Sequence, residues 1–284
     1  MNIRVAHHAG FCFGVRNAVD QARSAAAEYG TVYMLGDIVH NESVVRELAD
    51  AGVKVVESLD DVGDGPVLFR AHGTPVDLWN EARSRGIQVI DATCPLVHRI
   101  HREVRELAEE GRKIFIIGDK GHDEVVGIES QVQDAIVLSD PEETRELRKW
   151  KRGGVVSQST QTIGMFREIV GILLEKVQDL RVMNTICQPT REHQDELREL
   201  AETNDVMIII GSFTSANTKR MAGIASELNP RTYQVEHAEQ LDRKWFREGD
   251  RVGVHAGAST PDRLIQSVVE KLRSFSTKTQ SMEV

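Results

Sequence analysis

The stretch DATCPLVHRIHREVRELAEEGRKIFIIG, residues 91–118, carries the pattern on which the fold rests. A short apolar run at 87–90 leads to Cys94, a helical pattern follows, and an apolar strand closes on Gly118. Pro95 directly after Cys94 is a favoured first helical position. The same order occurs twice more. A run at 3–6 leads to Cys12, the helical stretch VRNAVDQARSAAAEYG and the strand TVYMLG, which closes on Gly36. A run at 180–183 leads to Cys187, the stretch QPTREHQDELRELAET and the strand DVMIIIG, which closes on Gly211. Each glycine stands 24 residues after its cysteine (12 to 36, 94 to 118, 187 to 211).

The register continues outward. Four residues past the glycines stand His40, His122 and Ser215, and two further on Glu42, Glu124 and Asn217. A second helix, a short strand (53–56, 135–138, 232–235) and an acidic linker follow in every copy. A glycine-led strand then runs into a polar turn: AHGTP around His72, QSTQ around Ser159, GASTP around Ser259. Self-similarity at a fixed period marks a duplicated structural unit. Alternating strands and helices imply parallel sheets with helices on their faces. In such sheets ligands sit beyond the carboxyl ends of the strands, where all these polar turns fall.

The expected architecture is α/β: three pseudo-threefold-related lobes with mostly parallel sheets, arranged as a trefoil around a central cavity. Lobe 1 spans 13–94, lobe 2 spans 95–186 and lobe 3 spans 187–276. The third copy ends on a helix with no strand after it, and the first opens on a strand with no helix before it. The N-terminal strand, within residues 1–12, is therefore expected to complete lobe 3. Residues 277–284 are polar and read as a disordered tail.

The 284 residues are 40% hydrophobic and 28% charged, a composition ordinary for a soluble globular protein. No apolar run approaches the roughly 18–20 residues of a membrane span, and the first residues lack the apolar core of a secretory signal. A cytoplasmic location is expected. A net charge of −9 argues against nucleic-acid or anionic-membrane partners and leaves a small anionic substrate open. Three cysteines, an odd number without a CxxC pair, exclude a disulfide framework and the zinc-ribbon and thioredoxin readings.

Each cysteine opens a helix, where the dipole favours thiolate. Three thiolates brought together need a cation or a cluster. Structural zinc takes four protein ligands. An iron–sulfur cluster held by three leaves one iron without a protein ligand, able to act as a Lewis acid on a substrate oxygen. The competing reading is that equivalent cysteines record the duplication, each packed in its own lobe. Gly-rich turns at helix starts with Ser, Thr, Asn and His donors suit an anionic head group. Neither a Walker A nor a GxGxxG motif is present, so nucleotide binding has no support. Arg and Lys are sparse near the turns, which leaves neutral donors plus His to hold a compact diphosphate. Glu124, aimed into a closed cavity, would carry protons. Glu42 reads as a charge at a helix N-terminus. His98, His101, His193, His237 and His255 are set outside the site, and whether His7 or His8 reaches the cavity stays open.

Nine motifs follow one another along nearly the whole chain: GFCFGV at Cys12, VHN at His40, AHG at His72, DATCPLV at Cys94, GHDEVVG at His122, SQST at Ser159, NTIC at Cys187, GSFTSAN at Ser215 and HAGAST at Ser259. Together they resemble the 4-hydroxy-3-methylbut-2-enyl diphosphate reductase family, the last enzyme of the methylerythritol phosphate route to isoprenoids. The resemblance implies a trefoil around one 4Fe–4S cluster, with Cys12, Cys94 and Cys187 as its ligands and one open iron for the substrate hydroxyl. It implies that two electrons and protons expel water to leave an allyl intermediate, which on protonation gives isopentenyl or dimethylallyl diphosphate. Glu124 matches the proton-delivering carboxylate, and His122 a substrate-contacting histidine that assists it. Ser159 and Thr160 match a hydroxyl pair near the substrate hydroxyl and Glu124. His40, His72, Ser215, Asn217 and Ser259 match the diphosphate cradle.

An electron donor such as ferredoxin or flavodoxin, and a monomer or homodimer, are implied by resemblance alone. This chain departs from the family pattern at three places. Ala216 stands where a second serine is frequent, so it offers only its backbone N–H. Ser159 replaces a frequent threonine. His193-Gln194 stands where the family carries arginine-glutamine. Two other readings stay open: a cluster dehydratase resembling quinolinate synthase, and a non-enzymatic phosphometabolite-binding protein with three buried thiols.

Overall fold

A computed structural model describes residues 1–277; the rest of the expected C-terminal tail lies outside the described residues. The fold is α/β, with three four-stranded sheets whose strands all run parallel. The first sheet holds β2 (Val32–Leu35), β3 (Val53–Val56), β4 (Val67–Phe69) and β5 (Val89–Asp91) in the order β3-β2-β4-β5. The second holds β6 (Lys113–Ile117), β7 (Ile136–Leu138), β8 (Trp150–Ser157) and β9 (Val177–Val182) in the order β7-β6-β8-β9. The third holds β10 (Val206–Ile210), β11 (Thr232–Val235), β12 (Arg251–Ala256) and the N-terminal β1 (Asn2–Val5), in the order β11-β10-β12-β1. Val5 pairs with Val254, so β1 occupies in this sheet the edge that β5 and β9 occupy in theirs.

The helices follow the same threefold register. α1 (Phe13–Tyr29), α4 (Pro95–Glu109) and α8 (Gln188–Thr203) each begin directly after a cysteine. α2 (Glu42–Asp50), α5 (Asp123–Glu129) and α9 (Ala216–Leu228) follow the central strands, and α3 (Val76–Ser84), α7 (Ile163–Lys176) and α10 (Asp262–Thr277) follow the polar turns. The acidic linkers hold structure that their composition conceals. Asp140 accepts the Glu143 N–H at 2.8 Å and caps a five-residue helix, α6 (Pro141–Arg145), and single 3-10 turns occupy Leu59–Asp61 and Ala238–Gln240. β8 begins three residues ahead of its glycine pair, because Trp150 and Arg152 already lie in register with β9.

Parallel strands covered on both faces need apolar residues on both. In the second sheet Phe115, Ile117 and Val155 pack with Phe166, Ile169 and Leu173 of α7. Ile114, Ile116 and Val156 pack on the other face with Ile100, Val104 and Leu107 of α4 and with Val125 and Ile128 of α5. In the third sheet Ile208, Ile210 and Val254 meet Val268 and Leu272 of α10, while Met207 and Ile209 meet Leu197, Leu200 and Met221. The described residues group into two compact units. One comprises Asn17–Ile38 and Leu48–Thr190 and holds the first two sheets; the other comprises Met1–Arg16, Val39–Glu47 and the chain from Arg191, and holds the third.

In each sheet the chain leaves the first strand to one side and returns to the other, so the switch point lies between β2 and β4, β6 and β8, or β10 and β12. The three repeat glycines end the first strand at these points, and what a Cβ there would meet explains them. At Gly36 (φ +67°) it would lie 2.5 Å from Arg70 Nη1. At Gly118 it would lie 2.7 Å from Val125 Cγ2 and 3.0 Å from Gln158 Cβ. At Gly211 (φ +146°) it would lie 2.7 Å from Thr218 Oγ1 and 2.8 Å from Thr260 Oγ1. Glycine leaves the space into which the facing turn sets its side chains.

Candidate active site

In the unit of two sheets, one contact chain joins two cysteine turns to the carboxylate. Glu124 stands in the first turn of α5 and is 2% exposed. Its Oε1 accepts the Ser159 N–H at 2.5 Å and its Oε2 the Ser159 hydroxyl at 2.8 Å. The Ser159 carbonyl accepts the Cys187 N–H at 3.0 Å, so a single residue clasps the carboxylate on one side and the cysteine on the other. Across the unit, the Cys94 N–H donates to the Ala71 carbonyl at 3.0 Å, next to His72. The His72 ring stands edge-to-face with His122, with centroids 5.8 Å apart. His122 caps α5 by accepting the Glu124 N–H on Nδ1 at 3.1 Å. That bond assigns the proton of neutral His122 to Nε2.

Two supports of this unit were not singled out by the sequence. Arg70 fills the space over Gly36 and pairs with Asp123 at 2.9 Å, both largely buried, tying the turn after β4 to the start of α5. Its charge is thereby committed, which agrees with a cradle of neutral donors. Gln158, fully buried, accepts the Asp119 N–H at 3.0 Å and donates to Thr160 Oγ1 at 3.1 Å, fixing the turn that carries Ser159 and Thr160. The clues in sequence were the charged neighbours of Phe69 and Glu124; their pairing is a tertiary contact.

The unit of the third sheet holds Cys12, His40, Ser215, Ala216, Asn217 and Ser259. The Cys12 N–H donates to the Ala258 carbonyl at 3.4 Å, beside Ser259, whose buried hydroxyl has no hydrogen-bond partner among the described residues. Ser215 caps α9 by accepting the Thr218 N–H at 3.3 Å, which places Ala216 and Asn217 in the first turn. Thr260 Oγ1 donates to the Ile210 carbonyl at 3.1 Å. After His40, Asn41 rather than the histidine caps its helix, its Oδ1 accepting from Ser43 at 3.1 Å and Val44 at 3.3 Å. Glu42 opens α2, as its reading as a helix N-terminal charge requires.

The backbone bonds refine the repeat. Ala71, Ser159 and Ala258 all accept from a cysteine N–H, so Ser159 is the structural counterpart of the residue before His72, and Thr160 the counterpart of His72 and Ser259. The cysteines are partly buried and joined in no disulfide. At Cys187 the Thr190 N–H points to Sγ at 3.4 Å, with Thr190 Oγ1 at 3.1 Å. Pro189 is accommodated in the first turn of α8. Burial pushes the Cys12 thiol up, and the Gly14 and Val15 amides with Arg16 only oppose that.

Three histidines outside the site are buried enough to stay neutral. Burial lowers His101 and His255 to about 4 and His193 to about 3, with His98 next in effect on His101 and His255 on His193. An unfolded histidine takes up its proton near pH 6.5. Between pH 6.5 and about 4 the unfolded chain therefore binds protons that the folded chain refuses, and stability falls as the pH falls. Each ring adds up to about 1.4 kcal/mol per pH unit in that window. Urea titrations across pH 7 to 4 should show this slope, shallower in His193→Gln; an unchanged slope in that variant contradicts the assignment.

Three parallel α/β sheets, each with a helix that opens directly after a cysteine and a polar turn at its switch point, define a triplicated α/β protein with one thiol turn per sheet. Residues 3–273 match the family model described as LytB protein. The 4-hydroxy-3-methylbut-2-enyl diphosphate reductase of Geobacter sulfurreducens is 43% identical over 279 residues, 98% of this chain and 99% of the relative. That of Aquifex aeolicus is 41% identical over 280 residues, 97% of each chain. Two solved structures align along the chain. An (E)-4-hydroxy-3-methyl-but-2-enyl diphosphate reductase has 41% identity and a TM-score of 0.73, covering 96% of this chain and 99% of the other. The E-1-hydroxy-2-methyl-but-2-enyl-4-diphosphate reductase of Plasmodium falciparum has 27% identity and a TM-score of 0.90, covering 95% and 87%. The chain belongs to the LytB family of 4-hydroxy-3-methylbut-2-enyl diphosphate reductases, and with it to the oxidoreductases. Among the described residues, no helix is long and apolar enough to cross a membrane.

Proposed function

We propose that this chain reduces 4-hydroxy-3-methylbut-2-enyl diphosphate to isopentenyl and dimethylallyl diphosphate, with Cys12, Cys94 and Cys187 holding one 4Fe–4S cluster. The observation that carries the reading is Ser159, which binds both oxygens of buried Glu124 and accepts the Cys187 N–H. The donor set fits the group: three thiols outside any disulfide, in one register, each opening a helix and each N–H held by the neighbouring turn. A cluster bound there supplies electrons one at a time and an iron without a protein ligand.

The chain's own residues do the rest. Loss of the hydroxyl as water takes up two electrons and two protons. Once protonated at Oε2, Glu124 turns its 2.8 Å bond with the Ser159 hydroxyl around, donating to Oγ while the hydroxyl passes its own proton to the substrate. Because Glu124 is 2% exposed, the proton goes to the substrate in preference to bulk water. His122 directs its Nε2–H away from the capping bond, as a donor to the substrate. His40, His72, Ser215, Asn217 and Ser259 bind the diphosphate, to which the Ala216 N–H adds a backbone donor. Thr160, held by Gln158, stands beside Ser159 as the second hydroxyl. The three lobes are proposed as drawn from the repeat. The electrons come from a small ferredoxin- or flavodoxin-like carrier in the cytoplasm, to a monomer or homodimer. Relatives that are named reductases speak against the dehydratase and binding-protein readings. Anaerobic purification tests the cofactor: a brown protein with about four irons per chain is expected. A colourless, iron-free protein that resists reconstitution overturns it.

A further inference from the structure

We infer that Glu196 is a positioning residue that anchors the turn leading into Cys12; this rests on the reading of Cys12 as a cluster ligand. Glu196 stands on α8 with its side chain 11% exposed. Its Oε1 accepts the His7 N–H at 2.6 Å. Its Oε2 accepts the His8 N–H at 2.9 Å and lies 2.9 Å from His8 Nδ1. One carboxylate thus makes three bonds to two consecutive residues just upstream of Cys12. The backbone bonds that follow are long: Ala9 to Ala6, Gly10 to Ala256 and Cys12 to Ala258 are each 3.4 Å. At Cys94 and Cys187 the corresponding cysteine bond is 3.0 Å. The Cys12 turn is therefore the one whose cysteine N–H is held least tightly, and Glu196 supplies short bonds ahead of it from a distant helix, where the other turns use a side chain of their own: Asp91 accepts the Thr93 N–H at 3.0 Å and Asn184 the Ile186 N–H at 3.3 Å.

The device is particular to this helix. Glu103 on α4 stands nine residues after its cysteine, as Glu196 does. It accepts from Arg99 at 2.7 Å, and its other oxygen has no hydrogen-bond partner among the described residues. Around Glu196 the rings of His8, His193 and His255 succeed one another at centroid distances of 6.3 and 5.4 Å. Burial holds the pKa of both inner rings well below the usual histidine range. Burial works to raise the Glu196 pKa, and the bonds from His7 and His8 outweigh it, so the residue stays ionised.

Glutamine keeps the shape but turns an NH2 group toward one of the two N–H donors. The test labels the reduced apo-protein with iodoacetamide and follows Cys12 and Cys94 by peptide mass spectrometry. In Glu196→Gln the Cys12 to Cys94 rate ratio should rise about fivefold, the scale of one lost hydrogen bond, and the iron-loaded protein should yield iron to a chelator faster by a similar factor. Glu199→Gln, on the same helix with an exposed Arg4 pair, should change neither. An unchanged ratio, or unchanged iron loss from a protein that holds iron, overturns the inference. A raised ratio in a chain whose unsubstituted form holds no iron leaves the anchor standing and removes the cluster reading. Should Glu196→Gln fail to fold, His8→Ala removes the ring bond to Glu196, with the ring's contacts to His193 and Glu192, and keeps both backbone bonds: a smaller rise is expected, and no rise overturns the inference.

Discussion

Glu124→Gln is expected to lower kcat by at least about 100-fold while leaving the iron content and the fold intact, the usual scale for removing a positioned acid. The geometry makes the substitution clean. The glutamine carbonyl can take over the Ser159 N–H, which Oε1 now accepts at 2.5 Å, and its NH2 can donate to the Ser159 hydroxyl in place of Oε2. The Ser159 turn and its bond to Cys187 are retained, so the Cys187 turn is undisturbed. What is lost is the proton: an amide at this buried position neither holds nor releases one at neutral pH. The check is an anaerobic steady-state assay with iron determination and a melting curve on the same sample. Turnover within a few-fold of the unsubstituted protein takes Glu124 out of its role.

Cys94→Ser is expected to lose most of its iron and essentially all turnover. Cys94 is the N-cap residue of α4, and its side chain makes no capping bond. Serine is a better N-cap than cysteine, so the substitution supports the helix start. The Cys94 backbone bond to Ala71 does not involve the side chain and survives. Iron loss in a variant that melts no earlier than the parent therefore reports ligation and not unfolding. A serine hydroxyl stays protonated near neutral pH and is a poor substitute for thiolate. Iron and sulfide determination after anaerobic reconstitution reads the result, and a full complement with normal turnover removes Cys94 from the ligand set.

The duplicated register is why so much of the fold was legible in the sequence. One helix or strand pattern is ambiguous, but three copies with a cysteine and a glycine at equal spacing restrain one another. That the N-terminal strand joins the third sheet followed from counting which copy lacked its last strand; its pairing with β12 is read from the coordinates. Elements of a single turn escaped, since α6 and the 3-10 turns in the acidic linkers are set by local caps such as Asp140 and not by periodicity. The upstream start of β8 escaped because Trp150, Lys151 and Arg152 carry no apolar alternation and are extended by pairing with β9. At the site, residue types marked the turns, but their pairing needed coordinates. Ser159 bonding Glu124, Arg70 paired with Asp123, and Glu196 clasping His7 and His8 join residues 35, 53 and 188 or more positions apart. The Cys12 thiol shows the limit of the dipole argument: burial, invisible in a motif, outweighs the helix N-terminus.

The most direct test of the central claim is anaerobic turnover with a reduced one-electron dye and 4-hydroxy-3-methylbut-2-enyl diphosphate. The expected result is two dye equivalents oxidised per substrate consumed, with isopentenyl and dimethylallyl diphosphate as products. An iron-loaded protein that leaves the substrate unchanged, or consumes it without oxidising the dye, would contradict the account.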